Sequence, residues 1–346
     1  MIIKNLKISG LRNIQKGGFS FCEAKNLIYG ANGAGKTTVL EAIFISGFGK
    51  SFLNVRKADM VNYGKMEFFI TSAVKNFHGE NKISAVYSSA AGTKFSLLLN
   101  GKKTNIIELN EYLYPLFFSS SNYNLYIESK PYIRKLIDRF IFGVYALYIH
   151  YILGYNKALK QKNYLLKTRR DAAELSSWNQ IISETAEKIV GLRMEFVGKL
   201  NGEIKSKYDN SLEIKYSPSL GSSGQLSRQD FFYELEGLKE REIKYHKSLK
   251  GPHLDNFEIH LNSRNLKFNS SGEKKINLLM VYISYIELFK KEKKEYPIFL
   301  VDDFDTAIDA NNIEFLMENY PDLQVIATSV NRNSGFDKLI ALEKEN

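Results

Sequence analysis

The sequence predicts an α/β fold in which a mostly parallel sheet is covered by helices, accompanied by an antiparallel β subdomain and interrupted by a helical block. Three observations carry this. The outer thirds of the chain alternate short apolar, β-branched or aromatic segments with segments of helical spacing. From about Ile107 to Tyr208 the spacing is helical throughout, with long Lys, Glu, Leu and Ile side chains, no glycine-rich turn, and only Pro115 and Pro131 as interruptions. An apolar segment, Leu27–Tyr29, also runs straight into GANGAGKT, which reads as strand, turn, helix.

Taken in order, the apolar alternation predicts strands at Ile2–Ile8, Phe19–Phe21 and Leu27–Tyr29. Glu67–Val74, Ile83–Ser88 and Lys94–Leu99 follow, and Asn100-Gly101 suits a tight hairpin turn. The longest apolar run, Phe140 to Tyr155, falls short of the ~20 residues of a membrane span and reads as a buried helix. Strands return at Leu212–Tyr216 and Phe257–Leu261. A helix from about Glu273, an apolar strand Ile298–Val301, another helix and a strand Leu323–Ala327 complete the pattern. Residues 1–107 with 211–346 are therefore expected to form one domain, and 108–210 a helical insertion subdomain. No regular repeat and no long heptad array is visible.

The chain has 346 residues, 44% of them hydrophobic, which excludes a disordered or low-complexity protein. Cys22 is the single cysteine and forms no internal disulfide, which is compatible with a reducing cytosol. Lysines interrupt the apolar residues of the amino terminus, so no secretory signal is expected, and a cytoplasmic location without membrane attachment follows. A net charge of +10 suits a polyanionic partner such as nucleic acid, and suits a solvated lysine surface equally well.

Residues 30 to 37, Gly30-Ala31-Asn32-Gly33-Ala34-Gly35-Lys36-Thr37, match the phosphate-binding loop at every fixed position. Its glycines let backbone N–H groups turn inward around phosphate oxygens, and the following helix adds its positive dipole end. Lys36 would reach the β- and γ-phosphates, and the Thr37 hydroxyl would ligate Mg²⁺. A glycine turn can match by chance, but the strand before it and the helix after it argue against that. The stretch Pro297-Ile298-Phe299-Leu300-Val301-Asp302-Asp303 ends an apolar strand in two carboxylates. Asp302 would position Mg²⁺ and Asp303 would polarise the attacking water. Between these parts, Ser270-Ser271-Gly272-Glu273 precedes a helix. A simple N-cap is the commoner meaning of such residues. The same geometry presents a hydroxyl and free N–H groups to a phosphate held by the other subunit of a head-to-tail dimer. The order of phosphate loop, Ser-x-Gly-Glu, apolar strand with Asp-Asp, and Thr306-Ala307-Ile308-Asp309 is that of an ABC-type ATPase head.

On these residues the chain resembles the RecF family of bacterial recombination mediators, which are related to SMC heads. Further matches are Leu11-Arg12-Asn13, Glu41-Ala42-Ile43, Gly49-Lys50-Ser51-Phe52, Tyr155 through Asn163, Leu165-Leu166, Trp178, Tyr216-Ser217-Pro218-Ser219 and Gly251-Pro252-His253. The Tyr-x-x-x-Leu-x-Gln-x-Asn segment and the Gly-Pro-His triplet are more particular than the loop. The resemblance implies an ATP- and Mg²⁺-dependent, DNA-binding protein. It would dimerise through two sandwiched nucleotides, hydrolyse ATP slowly as a switch, and act in replication, gap repair and the SOS response by loading recombinase with partner mediator proteins. By the same resemblance Lys36, Thr37, Asp302 and Asp303 serve ATP and Mg²⁺, Ser270 and Gly272 act as the signature in trans, and Asp309 lies at the interface. Arg12 would lie against the nucleotide, and it also fits a surface arginine in a turn. The pattern departs at Glu273-Lys274-Lys275, where glutamine and arginine are usual, and at Ser120-Ser121-Asn122, which replaces a proline-acid pair. After the last strand Thr328-Ser329 stands where a histidine would sense the γ-phosphate, so slow hydrolysis is expected.

From Gly154 to Arg170 the chain carries Lys157, Lys160, Lys162, Lys167, Arg169 and Arg170 and no acid. Lys157, Lys160 and Lys167 fall near one helical face, interleaved with Tyr155 and Tyr164. They suit sequence-independent contact with the DNA backbone as well as a solvated face. A transporter-type ATPase subunit is disfavoured by the long insertion between Lys36 and Asp302, and an SMC-like bridging protein by the missing heptads. No Asn-Lys-x-Asp guanine signature is present, the five histidines form no metal-ligand spacing, and the chain ends shortly after Asp309 without room for a nuclease domain.

Overall fold

The computed structural model describes residues 1–53, 55–90, 92–119, 121–168, 172–208, 211–221, 227–307 and 318–343. Its strands are β1 (Ile2–Leu11), β2 (Ile14–Ser20), β3 (Lys25–Tyr29), β4 (Glu67–Asn76), β5 (Gly79–Ser88), β6 (Lys94–Leu99), β7 (Lys102–Thr104), β8 (Pro115–Ser119), β9 (Leu212–Ser217), β10 (Asn256–Leu261), β11 (Arg264–Asn265), β12 (Ile298–Asp302), β13 (Val325–Ser329) and β14 (Lys338–Ala341). Its helices are α1 (Lys36–Phe48), α2 (Ile106–Leu109), α3 (Tyr123–Glu128), α4 (Lys130–Val144), α5 (Tyr148–Thr168), α6 (Ala172–Lys207), α7 (Arg228–Gly237), α8 (Lys239–Tyr245), α9 (Ser271–Lys293) and α10 (Phe304–Ala307). The chain divides into two compact units, one of Met1–Tyr123 with Phe289–Asn346 and one of Asn124–Leu288.

The first unit holds two sheets. The antiparallel sheet has the order β2-β1-β4-β5-β6-β7. Strand β4 shows why it forms: Phe68, Ile70, Ser72 and Val74 alternate inward while their neighbours are more exposed. Strands β6 and β7 are joined through Asn100 and Gly101, both at positive φ (51° and 83°), which is the hairpin geometry that Asn-Gly favours. The parallel sheet has the order β14-β3-β13-β12-β8. Every residue of β8, β12 and β13 is buried, as expected for parallel strands covered on both faces. Helix α1 is buried nearly all round, and Phe44 contacts Phe48, Phe52 and Phe117.

Strand β8 lies inside the stretch expected to be helical. Its five residues pair with β12 from Pro115↔Ile298 to Ser119↔Asp302. A strand buried on both faces has no period-two alternation to distinguish it from a helix. The second compact unit accordingly begins at Asn124 and extends past 210, taking in β9, β10, β11 and much of α9. The short edge strand β14 carried no sequence signal.

The second unit packs α5 along α6 and sets the antiparallel sheet β11-β10-β9 against α6 and α4. The apolar run Phe140–Tyr155, expected as one helix, is divided between α4 and α5 by a turn at 145–147, with Tyr148 N–H donating to the Tyr145 carbonyl at 2.9 Å. The break lets Tyr148 fold back so that its hydroxyl donates to Asp138 at 2.6 Å. Phe140 stacks on Tyr285 with centroids 4.0 Å apart. Buried Arg193 of α6 ties the unit together, pairing with Asp138 at 2.8 Å and Asp255 at 2.6 Å and donating to the Pro252 carbonyl. Among the described residues no helix is long and apolar enough to cross a membrane.

Candidate nucleotide site

The glycine-rich loop joins β3 to α1 as the sequence predicts. Gly35, at φ 103°, is the residue before the helix, and a Cβ there would sit 3.1–3.2 Å from the Asn13 amide and Ile14. Positive φ and close approach together restrict this position to glycine. Asn13 acts as a clamp: its Nδ2 donates to the Gly33 carbonyl at 2.8 Å while its Oδ1 accepts from the Thr38 hydroxyl at 3.0 Å. The first turn of α1 carries no acidic side chain of its own against the positive end of its dipole. Lys36 is buried and its Nζ donates to the Gly30 and Ala31 carbonyls at 2.7 and 3.0 Å. An ammonium has three protons, which leaves one for a phosphate oxygen.

Strand β12 brings its terminal acids to the same place. The Thr37 hydroxyl lies 3.1 and 3.2 Å from the two carboxylate oxygens of Asp302. The Thr328 hydroxyl donates to Asp302 Oδ1 at 2.6 Å and accepts the Asp303 N–H at 3.0 Å. Burial raises the Asp302 pKa above its ordinary value, the Asp303 charge adds to this, and the two threonine hydroxyls oppose it. A desolvated carboxylate beside a hydroxyl is an oxygen-only donor set that fits Mg²⁺, a cation that takes one or two carboxylates and completes its shell with substrate phosphates. Asp303 adopts φ 53° and lines the cavity.

That cavity, of about 690 Å³, is lined by Arg12, Asn13, Asn32, Gly33, Gly35, Lys36, Thr37, Thr38, Val61, Asn62, Tyr63 and Asp303. Its volume suits a nucleotide-sized ligand. Arg12 lines it, but the guanidinium is engaged: Nε and Nη2 donate to the buried Glu41 carboxylate at 3.0 and 2.9 Å, and Ser51 donates to the same carboxylate. Neither Thr328 nor Ser329 is among the lining residues; Thr328 supports the two acids, and Ser329 bonds Asp305 and the Asn331 carbonyl. The clamp of Asn13, the pairing of Glu41 and the support given by Thr328 were not assigned from the sequence, although Asn13 and Glu41 stand within matched motifs and Thr328 stands where a histidine would sense the γ-phosphate.

The remaining candidates belong to the second unit or lie outside the described residues. Ser270 precedes α9 in a reciprocal capping arrangement. Its N–H and hydroxyl donate to Glu273 at 3.0 and 2.8 Å, and the Glu273 N–H returns a bond at 3.3 Å. Gly272 is exposed, with open space where a Cβ would be. Lys157, Lys160 and Lys167 are exposed on α5, and Lys160 and Lys167 line one shallow groove with Asn156, Leu159, Asn163 and Tyr164. Lys162, grouped with them by sequence, is fully buried and paired with Glu242 at 2.6 Å, so it takes no part in that face. Asp309, Ser120, Arg169 and Arg170 lie outside the described residues.

Residues 2–344 match the family model of the RecF/RecN/SMC N-terminal domain. The DNA replication and repair protein RecF of Acetivibrio thermocellus is 31% identical over 99% of this chain and 98% of that protein. This chain belongs to the RecF family. The RecF protein of Agathobacter rectalis is 30% identical over 98% of this chain and 94% of that protein. Among solved structures, that of the recombination mediator protein RecF with ATP, of the RecFOR pathway, superposes with a TM-score of 0.88 at 26% identity, covering 96% of this chain and 93% of that one. An SMC head bound to the C-terminal winged-helix domain of ScpA shares the fold, with a TM-score of 0.56 at 15% identity, 99% of this chain and 94% of that one being covered. The fold is therefore that of an ABC-type ATPase head, as the order of motifs implied.

Proposed function

We propose that this protein is an ATP-switched, DNA-binding mediator of replication and gap repair that works as an ATP-dependent homodimer with partner mediator proteins, loads recombinase and serves the SOS response in the cytoplasm. One observation carries the reading: the glycine loop, Lys36, Thr37 and Asp303 line one nucleotide-sized cavity, and Asp302 is bonded to Thr37 behind it. In this reading the backbone from Gly30 to Thr37 cradles the phosphates, and Lys36 and the end of α1 neutralise their charge. Thr37 and Asp302 would hold Mg²⁺, whose bound form screens the β- and γ-phosphate oxygens. Asp303, at the strand end, orients and polarises the attacking water. Thr328 holds both acids in place, and Arg12, held by Glu41, lies against the nucleotide.

Ser270 and Gly272 would face the nucleotide of the second copy, with Asp309 at the interface. The exposed Lys157, Lys160 and Lys167 would neutralise phosphates of the DNA backbone, which makes binding insensitive to sequence and steeply salt-dependent. An ATPase domain of 1–107 with 211–346, and an insertion of 108–210, belong to the same proposal. The compact units divide the chain elsewhere, so the functional parts draw on both. Sedimentation with and without Mg²⁺-ATP tests the scheme. The expected outcome is a monomer that becomes a dimer with ATP in the parent protein and in neither Lys36→Ala nor Ser270→Arg. A parent that stays monomeric at saturating ATP rules out the sandwich.

A further inference from the structure

Within the second unit a small cavity opens beside α5, with Arg134 and Asp138 of α4, Asn156 of α5, Arg193 of α6 and His253 in its wall. It holds about 140 Å³. A water in the liquid takes about 30 Å³ and pockets for drug-sized ligands begin near ~300 Å³, so the space fits one tetrahedral oxyanion and excludes a nucleoside. Its wall sets two guanidiniums against one carboxylate. Arg193 takes both nearby acids, pairing with Asp138 at 2.8 Å and Asp255 at 2.6 Å. Arg134 is left over. Its Nη1 donates to the Asp255 carbonyl, but no carboxylate among the described residues pairs with it, and the rest of its N–H fork is uncommitted.

Arg134 is also half-buried. Burial and the neighbouring Arg193 charge lower its pKa, against the opposing charges of Asp138 and Asp255. A partly desolvated cation beside a like charge, with no carboxylate of its own, costs the fold stability that a bound anion would return. Asn156 is exposed, and its amide has no partner among the described residues. It also lines the shallow groove of Lys160, Tyr164 and Lys167, so cavity and groove share a wall. Lys160 and Lys167 stand four and eleven residues beyond Asn156, about 6 and 16 Å along the axis of α5. Donors for an anion thus recur along one line. Between the two lysines the exposed Tyr164 ring offers a face for a sugar or a base, which favours a nucleic-acid strand over an acidic peptide.

We propose that this cavity seats one backbone phosphate of a bound nucleic-acid strand, gripped by Arg134 and Asn156, and that the strand continues along α5 over Lys160 and Lys167. The planar fork of Arg134 matches a phosphate with two parallel N–H donors, and the Asn156 amide adds a neutral one. The proposal rests on the nucleic-acid reading of α5 above. It adds a recessed anchor to what would otherwise be contact by surface lysines alone.

Fluorescence anisotropy of a labelled mixed-sequence DNA duplex, over a series of KCl concentrations with saturating Mg²⁺-ATP, tests it on the full chain. The proteins are the parent, Arg134→Gln, Arg134→Lys, Asn156→Ala and the double variant Lys160→Gln/Lys167→Gln. Arg134→Gln should bind roughly tenfold more weakly and lower the slope of log affinity against log salt by about one, as expected for one lost phosphate contact. Arg134→Lys should restore the slope, because it keeps the charge. Asn156→Ala, at an exposed position, should bind roughly threefold more weakly at an unchanged slope. If Arg134→Gln and Asn156→Ala bind as the parent does while the lysine double variant binds weakly, the pocket is overturned and the reading of α5 stands. A double variant that binds as the parent does overturns the reading of α5 itself. Calorimetric titration with orthophosphate supplies a further arm: binding that Arg134→Gln abolishes, at unchanged duplex affinity, marks a site for free phosphate and overturns the assignment. So does a polyglutamate peptide that displaces the duplex as well as unlabelled DNA of the same charge.

Discussion

Arg12 and Glu41 show how a residue on the cavity wall is held in place by a buried partner. Glu41 is buried in α1, and its carboxylate accepts both arms of a guanidinium that is itself 25% exposed. Removing Arg12 leaves that charge with the Ser51 hydroxyl donating to it. Arg12→Ala should therefore cost roughly 2–3 kcal/mol in urea unfolding, and adding Glu41→Gln should recover part of it, because the unpaired charge and not the lost contact dominates. A double-mutant cycle that shows strict additivity contradicts this. The case also marks what was legible in the sequence at this scale. Lys36, Thr37, Asp302 and Asp303 were readable because fixed spacing encodes local geometry around the loop and the strand end. The Asn13 clamp, the Glu41 pairing and the Thr328 support join residues 20 to 29 positions apart, and no local pattern records which of them will meet.

At the scale of elements, the capping arrangement before α9 separates two meanings of Ser270. As a cap, Ser270→Ala should cost about 1 kcal/mol of stability, and Ser270→Asp a similar amount, because it retains an oxygen acceptor for the Glu273 N–H but sets a second carboxylate beside that of Glu273. As a signature residue facing a phosphate in trans, Ser270→Asp should abolish ATP-dependent dimers by charge repulsion while the fold stays intact. Urea unfolding and sedimentation on the two variants distinguish these outcomes; an Asp variant that still dimerises removes Ser270 from the interface. Most strands were legible because alternation records one buried face, as in β4 with Phe68, Ile70 and Val74. Strand β8 was not, because Leu116, Phe117 and Phe118 are all buried and the strand lies next to truly helical sequence. The turn at 145–147 was hidden for a related reason: an unbroken apolar run does not say where a chain reverses.

At the scale of the whole molecule, the two units differ in what holds them. The first rests on two sheets and a buried helix, the second on helices crossed by a charged network around Arg193. His253 belongs to that network, with its ring beside the Tyr155 hydroxyl, and burial together with the nearby Arg134 charge lowers its pKa to about 4. An unfolded histidine titrates near 6.5, so as pH falls below that value the unfolded chain takes up a proton that the folded chain refuses. Stability is lost until about pH 4, below which both states are protonated and the loss is complete. Between about pH 7 and about pH 5 the expected loss is about 2 kcal/mol, and His253→Asn should flatten that slope. Denaturant titrations followed by circular dichroism check it.

The chain's one tryptophan, Trp178, packs against Leu165, Leu166 and Leu175 in the second unit. The wall of the phosphate cavity belongs to the first. The sole indole chromophore is thereby a reporter on the second unit. Its emission, followed while ATP is added, reads what the second unit does when the ligand enters a cavity walled by the first.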